Sequence, residues 1–363
     1  MLSPNRRAPA AERRPARCRD RKALLATAVL LLLPTLPAVA AARKPSPPPP
    51  SEPPSEPIVE RLREPPAGTR SAARWPFSVD SPWNTPLGAG AQLAPAASPC
   101  SQTFADSTAG SDINAAEWSH PIYVARPSDP LVRLYLYGEV KLTLHVPRDA
   151  MPARPHTRDT DGHLHIIDPT HRFVDELYHA RRRPGGHLQA DAYSRNDLHG
   201  DGVGKGGVRA YGGSAIAGLI RTGELATGLR HALALALPRR AQRVGPVWPA
   251  TAEDDFAAKD YRGSVPLGQL VALPRDLDAA ALHLGPAGQA LLRALQDYGA
   301  YDVDSAGDYS LYAEPAAEGE LGSARKDWAT LRPLLRCVTN NRPDAIGGPG
   351  PRVAPPALPL APK

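Results

Sequence analysis

The chain has 363 residues, with 43 Lys and Arg against 37 Asp and Glu, a formal net charge of +6. Residues 1–40 hold eight of the basic side chains (Arg6, Arg7, Arg13, Arg14, Arg17, Arg19, Arg21, Lys22) and two acidic ones, Glu12 and Asp20. That segment alone carries the excess, so the remainder is near neutral and its charge gives no support for a nucleic-acid partner.

Behind the basic leader comes the apolar run 23–33, then Ala38-Val39-Ala40, a small-x-small cleavage pattern. This predicts a signal peptide over residues 1–40, its apolar run being short for a membrane span. Export to the periplasm or the extracellular space follows, with no stable membrane span once the leader is removed. Residues 41–73 form a proline-rich spacer, because such composition favours extended conformations and buries no core. Residues 342–363 form a similar proline- and glycine-rich tail, leaving 74–341 as a single β-rich domain. Cys100 and Cys337, near the two ends of that domain, are expected to form a disulfide in an oxidising compartment.

In chain order, 75–85 reads as an entry segment that packs aromatic residues onto the domain. Short strands follow at 122–125, 131–137, 140–146 and 164–168, with a hairpin turn near Gly138-Glu139. A second hairpin is expected where 173–180 and 188–197 flank Pro184-Gly185-Gly186. A short helix is read over 214–221, and 231–237 (HALALAL) is read as a strand buried on both sides. The best helix starts at Pro286, repeats Leu291, Leu295 and Tyr298, and ends at Gly299. Strands resume at 300–304 and 309–314. The expected fold class is mainly β: a jelly-roll-like β-sandwich with one or two short helices.

Chemistry concentrates at 187–201. Every second residue there (His187, Gln189, Asp191, Tyr193, Arg195, Asp197, His199, Asp201) is polar or ionisable. Side chains of an extended strand alternate faces, so these would emerge together. An ordinary wet edge strand is the competing reading, but its outer face is normally Lys, Glu and Thr. Tyr, His and Arg together suit proton abstraction beside a neutralised carboxylate. The candidate catalytic residues are therefore Tyr193, His199 and Arg195. His187, Asp197, Asp201, Lys205, Arg209, Tyr211, His163 and His165 are candidates for substrate binding. Lys205 and Arg209 lie in or beside a run of seven glycines in fifteen residues, 200–214, which lets the backbone approach a ligand closely.

No metal is assigned. The histidines show no zinc spacing, and Asp197-x-His199-x-Asp201 starts like a calcium loop but has no acid at the twelfth position. At most a structural calcium is expected, and no other cofactor.

Several motifs resemble one another's counterparts in a set of secreted bacterial proteins: Asp161-Gly162-His163, 217–221 with Glu224-Leu225, His231-Ala232-Leu233, Trp248-Pro249-Ala250 and 294–301 (ALQDYGAY). The likeness covers about 75–314. It implies one domain and a secreted life, and carries no mechanism or catalytic residue with it.

The expected function is a secreted carbohydrate-active protein, a lyase that cleaves an acidic, uronate-containing polysaccharide. The alternatives are a glycoside hydrolase and a non-catalytic module that binds a polysaccharide or cell-envelope glycan. A structural envelope protein is the remaining alternative.

Overall fold

The run 231–237 forms the strand Leu233–Pro238, with every residue buried. The computed structural model describes residues 66–153, 160–204 and 206–362. The leader 1–40, the spacer as far as residue 65 and Lys205 lie outside the described residues.

Leu233–Pro238 lies inside a six-stranded mixed sheet. Across it the strands run Ser111–Asn114, Tyr309–Tyr312, Leu233–Pro238, Ala300–Ala306, Leu270–Ala272 and Arg336–Cys337. The alternation of the central strand explains its double burial. Leu233, Leu235 and Leu237 pack with Leu291 and Leu295 of helix Pro286–Asp297 and with Trp328 and Leu331 of helix Gly322–Leu331. Ala234 and Ala236 pack on the other face with Trp83, Tyr211 and Tyr301. Small side chains there leave room for rings: Trp83 meets Tyr301 edge-on at 5.2 Å and Tyr211 at 5.9 Å. The entry segment thus delivers its aromatics to the core, as expected.

A second sheet orders Ile122–Val124, Leu164–Ile167, Phe173–Tyr178 and Ala192–Asp197. A third orders Glu139–His145, Leu131–Leu136, Leu188–Ala190 and Arg181–Arg182. One apolar cluster is filled from both, with Leu164, Ile166 and Leu177 from one sheet and Val132, Leu134, Leu144 and Leu188 from the other. The opposite face of the second sheet, through Ile167 and Val174, joins the cluster of Trp83 and Ala234. A mainly-β fold is therefore correct. Among the described residues no sheet is closed, and five strand pairs (111–114 with 309–312, 233–238 with 300–306, 122–124 with 164–167, 131–136 with 188–190, 242–243 with 265–266) are parallel. Among the described residues, no helix is long and apolar enough to cross a membrane.

Local expectations hold where sequence signals are strongest. Leu131–Leu136 and Glu139–His145 pair antiparallel around Tyr137-Gly138, both at positive φ (51° and 90°), the conformation of a two-residue hairpin turn. Helix Pro286–Asp297 begins at its proline, and Gly299 turns left-handed at φ 78°. Three expectations need correcting. Residues 214–221 form turns, not a helix, because Gly218 sits at φ 72°, where a Cβ would lie only 2.5 Å from Ala234 N and 2.7 Å from the Trp83 ring. Residues 188–197 are two strands in different sheets, broken at Asp191. Phe173–Tyr178 pairs with Ala192–Asp197, while only Arg181–Arg182 closes the hairpin at Gly185-Gly186 onto Leu188–Ala190.

The tail 342–362 is laid along the domain. Gly88 N–H donates to Gly347, Val353 N–H to Leu87, and Arg70 bridges in parallel to Leu360. Cys100 and Cys337 form the expected disulfide, 237 residues apart in sequence. Closing so long a loop removes conformational freedom from the unfolded chain. Replacing both cysteines by alanine is expected to lower unfolding free energy by about 2–4 kcal/mol. Denaturant titration measures this, and an unchanged midpoint would refute it.

Candidate functional site

On the second sheet, alternation separates two polar sets. Leu164 and Ile166 face the third sheet, so His165 faces the six-stranded one. Register places His165 opposite Glu176 and Leu177 opposite Tyr193. Glu176, Tyr178, Ser194 and Asn196 therefore share the His165 side, and Asp175, Tyr193, Arg195 and Asp197 share the other.

The His165 side holds a buried polar centre. Arg209 reaches it from the glycine-rich loop. Gly207 N–H donates to the Gly212 carbonyl, and a Cβ on Gly207 would lie 2.0 Å from the Gly213 oxygen. Only glycine permits that fold-back, and it inserts Arg209 under the loop. The Arg209 guanidinium stacks over Tyr312 at 4.1 Å, donates to the Ala215 carbonyl, and lies 3.5 Å from an Asp304 oxygen. Its Nη2 is 2.8 Å from His120 Nε2, and His120 Nδ1 is 2.9 Å from His165 Nε2.

These contacts fix the tautomers. A guanidinium only donates, so His120 Nε2 accepts and its proton sits on Nδ1. His165 then accepts at Nε2 and carries its own proton on Nδ1, a buried atom with no partner among the described residues. A second proton on either ring would break the relay. Burial, with the Arg209 charge adding to it, accordingly holds His120 and His165 well below the usual histidine range and His163 down at about 3.

His120, His163 and His165 each offer a nitrogen within 4.8 Å of the others, so the trio could be arranged around a metal ion. The donor set argues against it in this arrangement. The His120 Nε2 lone pair is engaged by Arg209 and that of His165 Nε2 by His120, and a cation would sit beside a guanidinium.

Three carboxylates stand close to this centre. Asp161 Oδ2 lies 3.8 Å from His163 Nε2 and hydrogen-bonds Tyr178, which stacks on His179 at 4.0 Å. Asp254 accepts from the Tyr261 hydroxyl at 2.5 Å. Asp304 follows a register shift in strand Ala300–Ala306, where Asp302 faces Leu235 and Asp304 faces Ala236. Burial raises Asp161 and pushes Asp304 up to about 7; Arg209 opposes that rise, while Asp161 and Asp254 add to it. Behind this centre, Glu176 receives Ser214 Oγ at 2.5 Å and the Ala215 N–H at 3.0 Å, which fastens the loop to the sheet.

The expected catalytic set divides differently. Tyr193, Arg195, Asp197 and Asp201 line one open groove of about 490 Å³ together with Lys141 and Gly202, Gly204 and Gly206. The parity count thus holds for 193–197. It fails upstream, where His187 belongs to the third sheet's side, beside Tyr135. Downstream, His199 and Asp201 lie past the strand in a turn: the His199 N–H donates to Asp197 and the Val203 N–H to Asp201. Within the groove Tyr193, Arg195 and Asp197 are already matched. The Tyr193 hydroxyl donates to Asp175 at 2.8 Å, and Arg195 pairs with Asp175 at 3.1 Å and Asp168 at 3.2 Å. Asp197 is held by Arg172, so the calcium-like fragment spends its first carboxylate on an arginine and a backbone N–H. Tyr211 is a core residue whose hydroxyl donates to the Ser214 carbonyl; burial, not ligand contact, defines it.

Of the expected binding residues, His163, His165 and Arg209 do come together. Sequence reasoning missed His120, Asp161, Tyr178, Asp254, Asp304 and Tyr312 as their partners. The Asp161-Gly162-His163-Leu164-His165 alternation was the available signal; the others arrive from separate segments. No protein-family profile, curated protein or solved structure matches the chain.

Asp304 gives a testable electrostatic signature. A folded-state pKa raised from 3.8 to about 7 means that the unfolded state releases its proton first as pH rises. This contribution to stability is complete below pH 3.8 and declines up to about pH 7. Asp304→Asn should flatten that limb of the stability profile, read as melting temperature from pH 4 to 8. Parallel profiles for variant and wild type would discount the burial.

Proposed function

We propose that the protein is an exported carbohydrate-active enzyme that hydrolyses a glycosidic bond at the Asp161–Asp254–Asp304 cluster. The observation that carries this reading is a buried carboxyl, Asp304, 3.5 Å from Arg209 and within the electrostatic reach of two further carboxylates, Asp161 (3.8 Å from His163) and Asp254. Hydrolysis of a glycoside needs one carboxyl group that holds a proton near neutral pH and another that stays available as base. Asp304, raised to about 7, supplies the proton to the leaving oxygen. Asp254, steadied by the Tyr261 hydroxyl, activates the water. Asp161, with Tyr178, receives sugar hydroxyls. The neutral histidines keep the relay to Arg209 and so hold its charge in place. The same reading takes the second and third sheets as a small β-sandwich, since one apolar cluster is filled from both.

A second reading, elimination from a uronate in the groove, is favoured by the meeting of Tyr193, Arg195 and Lys141. Two features weigh against it. Burial and the neighbouring Asp175 raise Tyr193 above the ordinary tyrosine range, which disfavours it as a base. Arg195 already serves two aspartates.

The test offers purified protein a panel of neutral and uronate-containing polysaccharides, following reducing ends and the ultraviolet absorbance of an unsaturated product. Reducing ends without the chromophore are expected. Asp304→Asn should lower the rate by about 10²-fold or more, Tyr193→Phe should leave it near wild type, and activity should fall as pH rises past 7. A chromophore abolished by Tyr193→Phe but not by Asp304→Asn would establish elimination instead. Glycan binding with no product of either kind would make this a binding module.

A further inference from the structure

His231 is buried just ahead of strand Leu233–Pro238. Both of its ring nitrogens face acceptors. Nδ1 lies 2.9 Å from the Ala232 carbonyl, and Nε2 lies 3.2 Å from Glu224 Oε2. A carbonyl oxygen can only accept, so Nδ1 carries a proton. Glu224 Oε2 also accepts the Arg221 N–H at 2.7 Å, as an ionised carboxylate does, so Nε2 carries one too. The ring is therefore an imidazolium. Burial works against that charge and Arg221 adds to the opposition, but the Glu224 carboxylate and the two hydrogen bonds outweigh them and hold His231 above the ordinary value of 6.5.

Arg221 joins this pair to the entry segment. Its Nε donates to Glu314 Oε2 at 2.7 Å, and both partners are buried. The same guanidinium donates to the carbonyls of Ala73 at 3.1 Å and Arg74 at 3.3 Å. Beside His231, the Ala232 N–H donates to the Trp83 carbonyl at 2.7 Å. His231, Arg221, Arg74 and Trp83 line one small hollow at this junction. Of the other charged groups nearby, Arg230 is exposed and Glu320 is engaged by the Gly223 N–H. Within the hydrogen-bonded set, a charged His231 makes two cations for two carboxylates. Without its proton, Arg221 alone serves Glu224 and Glu314, and either Glu224 loses its cation or the Ala232 carbonyl its donor.

We propose that His231 is a pH-sensitive clasp: charged, it holds Glu224 and leaves Arg221 to fasten segment 73–85, and as it loses its proton Arg221 is drawn between two carboxylates and the segment loosens. A buried carboxylate stripped of its cation is costly, which drives that redistribution. A folded-state value raised above 6.5 sets the sign. The stabilisation is fully present below 6.5 and is lost as pH rises through the higher folded value. The contribution of Asp304 is spent by about pH 7, so the limb above that belongs to the clasp. Segment 73–85 supplies Trp83, which meets Tyr211 edge-on, so the clasp acts on the support of the Arg209 loop. None of this depends on which reaction the carboxylate cluster performs.

Nuclear magnetic resonance of the whole protein labelled at histidine Cε1 tests it, His231 being the resonance missing from His231→Gln. It should titrate above 6.5 in wild type and at a lower pH in Glu224→Gln, and that displacement identifies it equally if His231→Gln does not fold. Hydrogen exchange read by mass spectrometry, corrected for its intrinsic pH dependence, gives the second readout. Protection of 73–85 should fall severalfold from pH 6 to pH 9 in wild type and be low at both in His231→Gln. A His231 midpoint at or below 6.5, a midpoint unmoved by Glu224→Gln, or protection of 73–85 that is constant with pH would each overturn the proposal. Protection lost evenly over the whole domain would overturn it as well, because that is global unfolding and not release of one segment.

Discussion

The structure depends on one alternation of size. Strand Leu233–Pro238 puts leucines under two helices and alanines under three aromatic rings. Were both faces leucine, Trp83 and Tyr301 could not approach the sheet as they do. Their layer in turn supports Tyr211, whose N–H donates to Val303 and whose carbonyl receives Thr251. Arg209 stands two residues before Tyr211. The depth at which the guanidinium meets Asp304 is therefore set by methyl groups on the strand that pairs with Asp304's own.

Burial makes that guanidinium consequential. An unpaired charge removed from water costs several kcal/mol, and partial pairing recovers only part of it. Arg209 spreads its contacts over an aspartate, an imidazole, a carbonyl and a tyrosine ring. The same charge keeps the neighbouring imidazoles neutral, because a second cation beside it in a dry setting is disfavoured. The raised carboxyls and the neutral imidazoles are thus two results of one arrangement. Low dielectric raises the carboxyls and lowers the imidazoles, and Arg209 limits the first effect while reinforcing the second.

The sequence was most legible where structure is local. The hairpin 131–145 combines period-two alternation with a Tyr-Gly turn, and helix Pro286–Asp297 has its own start, stripe and stop. The strand 233–238 announced its double burial by having no polar face. The disulfide followed from two cysteines and a presumed compartment. The cluster around Arg209 was illegible for the opposite reason. His120, Arg209, Asp254, Asp304 and Tyr312 come from five separate segments, and only packing of the second sheet on the six-stranded one brings them within reach. The polar period at 187–201 was real, but a period says nothing about a chain that changes sheets at Asp191. Nor does it say which face meets the arginine: at 192–197 the ionisable side chains took one side, and quieter Ser194 and Asn196 took the side of Glu176 and His165.

The pairing of Arg70 with Leu360, and of 87–90 with 347–353, brings early and late parts of the chain into register at one spot. Topologically the domain is almost a ring. A reordered gene that joins residue 362 to residue 66 through a short linker, and opens the backbone instead at the exposed Tyr137-Gly138 turn, would preserve the register that now sews start to finish. The order in which the segments are synthesised would then be changed without altering which of them must meet.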